Sequence, residues 1–83
     1  MSRIYLHLRD HTEETLDPEG MEYRDIEAVR RAVLEAARDV MANELRSGGL
    51  IDLRFRIDAE DSTGAIIHCL PFSAAITIIP EEG

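Results

Sequence analysis

The stretch from Asp25 to Gly48 restricts the possible folds more than any other part of the chain. Ile26, Val29, Val33, Ala36, Ala37 and Val40 fall on one stripe at helical spacing, with Glu27, Arg31, Glu35 and Arg38 opposite. A stripe of that width has to be buried, so the segment is read as one amphipathic helix covering one face of a sheet. Asp25 is placed as its N-cap, where a carboxylate accepts from the free amides of the first turn; Ala28 three residues on leaves no capping box. Glu27 and Arg31 stand in the favourable (i, i+4) order. Gly48-Gly49 ends the helix by supplying a residue that accepts the left-handed conformation.

The flanking segments read as strands. Ile4, Leu6 and Leu8 alternate with Tyr5, His7 and Arg9, the period-two pattern of a half-buried strand. Asp10 to Glu14 reads as a loop, Thr15 and Leu16 as a short return strand, and Asp17-Pro18-Glu19-Gly20 as a turn. Beyond the helix, Leu53, Phe55 and Ile57 alternate with Arg54, Arg56 and Asp58. Asp61 to Gly64 then turns the chain into a strand over Ala65 to Leu70, which Pro71 ends. Ile76, Ile78 and Ile79 suggest a short fifth strand. The expected class is α+β: a small, mostly antiparallel sheet of four to five strands with one long helix on one face, in the order β-β-α-β-β.

A chain of 83 residues is read as a single domain, 1–83, with 80–83 as a flexible acidic tail. At that size a partner subunit is a ready source of extra stability. Cys69, the only cysteine, cannot form an internal disulfide, which fits a reducing cytoplasm. The start of the chain alternates and meets charge early, so neither an export signal nor a membrane span is expected. The net charge of −8 opposes attraction to nucleic acid or anionic membrane. All nine basic residues are arginine, which a GC-rich coding sequence explains better than a demand for planar recognition does.

Residue patterns for catalysis or cofactors are weak. On one extended strand His7 and His11 would lie roughly 13 Å apart, too far to share one ion unless the strand ends between them. His68 and Cys69 are strand neighbours and point to opposite faces, so they do not pair as base and nucleophile. In that register His68 faces inward with Ile66 and Leu70, and Ile67 and Cys69 face out. Glu13, Glu14, Asp17, Glu19 and Glu22 cluster without the spacing of a calcium loop. Gly48-Gly49 follows a helix, where the dipole presents its negative end, and makes no phosphate cradle. No enzyme activity, cofactor or metal is expected.

Two surfaces attract attention instead. Arg3, Tyr5, His7, Arg9, Arg54 and Arg56 would share the outer sheet face, a basic and aromatic combination of the kind that single-stranded nucleic acid binders use. The helix, roughly 30 Å long, would overhang strands of roughly 20 Å, leaving Met41 and Leu45 as a ridge for a homodimer or another protein to cover.

Four stretches carry a family likeness: His7-Leu8-Arg9-Asp10, Asp17-Pro18-Glu19-Gly20-Met21-Glu22, Asp25-Ile26-Glu27-Ala28 and Leu70-Pro71-Phe72. In their order and spacing the chain resembles a family of short bacterial domains of unknown function. Its members run from a strand ending Leu-Arg-Asp, through an Asp-x-Glu-Gly turn and an Ala-rich helix, to a strand ending Leu-Pro-Phe. The resemblance implies a bacterial intracellular domain and no particular mechanism. His68 stands where that pattern has an aliphatic residue. A second likeness, to HicB-like antitoxins, implies an acidic partner for a basic protein; the appended DNA-binding domain has no counterpart here. The leading expectation is a non-catalytic interaction or regulatory module, ahead of single-stranded nucleic acid binding and of an acidic inhibitor.

Overall fold

In the computed structural model, which describes residues 3–82, the chain runs through β1 (Arg3–Arg9), β2 (Glu14–Thr15), β3 (Met21–Glu22), α1 (Ile26–Gly48), β4 (Arg56–Asp61), β5 (Ile66–Pro71) and α2 (Phe72–Ala75). The class is α+β, as expected: five antiparallel strands with one long helix. The Asp25 side chain accepts from the Ala28 amide at 2.8 Å and starts α1. Gly49, at φ 68°, donates its amide to the Leu45 carbonyl and stops it. On the exposed side, Glu27 pairs with Arg30 at 3.5 Å, one position before the expected Arg31.

The strand order is β2-β1-β4-β5, with β3 also on β1. Strand β4 takes one edge of β1 from Ile4 to Arg9, so β2 and β3 share the other: β2 at Leu8 and Arg9, β3 at Arg3 and Ile4. The gap between them falls at Leu6. There the Asp17 carboxylate accepts from the Leu6 amide at 3.2 Å, replacing a missing strand partner.

Alternation then places the core. Ile4, Ile57 and Ala59 from the sheet meet Val29, Val33, Ala37 and Met41 from α1 and Phe72 and Ala75 from α2, all buried. Leu6, Leu8, Phe55 and Leu70 pack against this cluster. Each large member contributes roughly 1.5–3 kcal/mol by leaving water. Ala37, Ala59 and Ala75 add little themselves, but their small side chains let the sheet, α1 and α2 approach closely.

Several expectations are corrected. Strand β4 begins at Arg56, because β1 stops at Arg9, its register partner, and nothing upstream can be paired. Leu53 and Arg54 therefore lie in a turn, with Leu53 41% exposed and not under the helix. The short return strand is Glu14–Thr15, and Leu16 is exposed. The fifth strand is Met21–Glu22, not the isoleucines near the C-terminus. After Pro71 the chain turns through α2 onto α1, where Arg38 Nε donates to the Ala75 carbonyl at 2.8 Å, and Ile78 and Ile79 are left exposed and outside the sheet.

In β5 the pairing steps from Ala59 opposite His68 to Glu60 opposite Ile66. Ile67 is thus an extra residue, a bulge. It packs against the core, whereas Ile66 is exposed, reversing the expected sides of both. The tail read over 80–83 includes Gly83, which lies outside the described residues.

Candidate interaction surfaces

The outer sheet face is set by the register of β1 and β4. Tyr5 lies opposite Glu60, His7 opposite Asp58 and Arg9 opposite Arg56, with Cys69 of β5 beside Asp58. Arginines and acids are therefore interleaved. Arg9 binds three carboxylates: Nε donates to Glu14 at 2.9 Å, and Nη1 donates to Asp58 at 3.0 Å and to Glu60. These contacts, Glu60 first, then Glu14 and Asp58, raise its pKa further above an already high value. Arg56 Nε donates to both Asp58 oxygens, at 3.1 and 3.2 Å.

Asp58 has no exposed surface although it points away from the helix. Burial alone would push its carboxyl up. The Cys69 thiol and the two guanidiniums bonded to it outweigh that and hold it below the ordinary range. Burial and this hydrogen bond to an anion push the Cys69 thiol up, away from the reactive thiolate. No described buried side-chain polar atom lacks a hydrogen-bond partner. The expected basic surface is thus corrected: Arg9 and Arg56 face Glu14, Asp58 and Glu60, two cations against three anions.

The aromatic half of the face is also tied down. Tyr5 and His7 stack with ring centroids 6.2 Å apart. His7 Nδ1 accepts from the Asp17 amide at 3.0 Å, which leaves Nε2 to carry the proton 3.7 Å from Glu60. Asp17 also accepts from the Glu19 and Gly20 amides. Burial would raise its carboxyl, but the Gly20, Leu6 and Glu19 amides together hold it below the ordinary range. Arg3 donates to the carbonyls of Glu19 and Gly20, at 2.9 and 3.2 Å.

Arg54 is not on this face. It grips Asp52 in the turn before β4, Nε to Oδ1 at 3.0 Å and Nη2 to Oδ2 at 2.9 Å, and that fork holds the Asp52 carboxyl down at about 2. Of the six residues expected there, the structure groups Tyr5, His7, Arg9 and Arg56, places Arg3 at the turn and separates Arg54.

At the other candidate surface Met41 and Leu45 part company. Met41, expected to stand uncovered, is 3% exposed and belongs to the core; Leu45, one turn later, is 52% exposed. Residues 42–48 of α1 are all exposed, so the overhang begins just past Met41. Beside it opens a cleft of about 260 Å³, lined by Leu8, Val40, Met41, Leu50, Phe55 and Phe72, with Glu44 and Asp52 the polar residues of its wall. Phe55 and Phe72 form its back, with ring centroids 5.9 Å apart and the Phe72 amide bonded to the Phe55 carbonyl. Leu50, though 64% exposed, was not marked as a surface residue by sequence reasoning. The available signal was the apolar pair Leu50-Ile51 directly after a helix-ending Gly-Gly.

Fold and surfaces together define a small α+β domain with a charge-neutralised sheet face and an uncovered helix end. The chain belongs to the family described as domain of unknown function DUF6894, whose model matches residues 3–73. No curated protein and no solved structure matches it. Among the described residues, no helix is long and apolar enough to cross a membrane.

Proposed function

We propose that this chain is a non-catalytic protein-interaction module of the bacterial cytoplasm that meets its partner at the free end of α1. The observation that carries the reading is the open apolar cleft beside an overhanging helix whose Leu45 and neighbouring Leu50 are 52% and 64% exposed. An apolar cleft with large exposed apolar side chains near it is a common mark of an interaction surface. The sheet face supports the same reading from the other side. Its ionisable groups are engaged with one another, and a guanidinium held by three carboxylates has little left to offer a phosphate or a reacting group.

The test compares proteins retained by the wild-type chain and by Leu45→Asp, each expressed in the source cell, with circular dichroism confirming that both are folded. A discrete retained protein, including another copy of the chain, should be lost from the variant. Identical retained sets would refute the reading.

A further inference from the structure

We infer that the free end of α1 pairs with the same surface of a second copy about a two-fold axis. Leu45 of each copy enters the cleft of the other, and Arg46 of each meets Glu44 of the other. This rests on the interaction reading above and names the occupant.

Three observations converge. First, α1 continues through residues 42–48 with every residue exposed. A stretch of about two turns with no buried residue is marginal on its own, because most helical stability in proteins comes from a packed face. Second, Leu45 follows the core residue Met41 on the same ridge, and the cleft opens against Met41 and Glu44. At about 260 Å³ the cleft has room for several waters at about 30 Å³ each. An apolar side chain from outside would displace that water. Because knob and hole adjoin on one patch, a two-fold axis through the patch satisfies both copies at once.

Third, the charges around Leu45 are complementary to themselves. Glu44 and Arg46 flank it on the helix. Among the described residues the Glu44 side chain has no ion pair or hydrogen bond, and the Arg46 guanidinium bonds only the neutral Asn43 side chain, at 3.3 Å. A two-fold contact pairs each with its opposite in the other copy, twice over. A purely basic partner would leave Arg46 facing like charge. The net charge of −8 on each copy opposes approach, so the apolar contact supplies the attraction and the ion pairs supply orientation.

The experiment is sedimentation velocity on the full chain across a dilution series at about 0.15 M salt, where long-range repulsion is screened. Wild type should show a concentration-dependent dimer. Leu45→Asp should weaken it at least ten-fold with unchanged circular dichroism. Glu44→Arg and Arg46→Glu should each weaken it, and the doubly swapped chain should recover most of the wild-type affinity. A dimer that ignores Leu45→Asp, or a double swap no tighter than the single ones, overturns this pairing. So does a chain that stays monomeric throughout. A monomer that still retains a different protein through Leu45 leaves the interaction reading standing, whereas a monomer that retains nothing through Leu45 removes both.

Discussion

Replacing Gly20 by alanine tests how tightly the turn after β2 is packed on the sheet. Gly20 sits at φ 67°, and Gly49, at the end of α1, sits at φ 68°, so the two share the same backbone strain when a Cβ is added. That strain is about 1–2 kcal/mol for an L-residue, offset by about 0.4–1 kcal/mol from the stiffer unfolded chain. Gly49→Ala, whose Cβ meets nothing within 4 Å, should therefore cost about 1 kcal/mol. At Gly20 the same atom would lie 2.8 Å from two carbons of the Tyr5 ring and 2.9 Å from Arg3 Cγ. Neither neighbour yields easily, since Tyr5 is stacked on His7 and the Arg3 guanidinium is anchored to the turn it would have to leave. Overpacking of this kind adds about 1–3 kcal/mol, bringing Gly20→Ala to about 2–4 kcal/mol. In a domain of this size each kcal/mol lowers Tm by about 4–8 °C. Urea unfolding followed by circular dichroism, at one low protein concentration, gives both values. A difference between the variants below about 0.5 kcal/mol, the ordinary scatter of surface substitutions, would refute the packing argument.

Three further outcomes are expected. Asp25→Ala removes the bond to the Ala28 amide and should cost about 1 kcal/mol in urea unfolding, while Asp25→Ser should recover most of it. Met41→Ala should cost about 2–5 kcal/mol, whereas Leu45→Ala in the monomer should stay within about 0.5 kcal/mol; equal losses would contradict the burial difference between them. Asp17 and Asp58 titrate below their ordinary range in the folded chain, so the unfolded chain takes up protons first as pH falls. Their contribution is fully present above about pH 4 and is lost as pH drops through the lower folded-state values. Urea midpoints should therefore fall in acid, and fall less steeply for Asp58→Asn; parallel curves would show that Asp58 does not contribute.

Helix α1 was legible because its signals are local: a cap at Asp25, a stripe at one period and a glycine pair that stops it. The overhang was legible too, from the lengths of helix and strand. What escaped depends on pairing between segments far apart in sequence. Alternation through Leu53, Phe55 and Ile57 promises a strand, but only the end of β1 at Arg9 determines that pairing starts at Arg56. An added residue such as Ile67 leaves no mark in a run as uniformly apolar as Ile66-Ile67. The sheet face was misjudged for the same reason. Arg9 and Arg56 are visible as bases, yet whether Asp58 and Glu60 stand among them is a question of register. Met41 was separated from Leu45 by Phe55 and Phe72, which are distant in sequence and meet at the open end of the β4–β5 hairpin.

Register also gives the Arg9 cluster a significance beyond its charge balance. The apolar residues of β1 and β4 would still face the core if the strands slid past each other by two residues, because alternation repeats at that interval. Arg9 does not share this indifference. Its bonds to Asp58 and Glu60 span 49 and 51 residues of sequence, and a slide that moved it from opposite Arg56 to opposite Arg54 would carry it away from the buried carboxylate that it neutralises. The hydrophobic pattern selects which face turns inward, and one arginine bars the slide in one of the two directions that this pattern alone would allow.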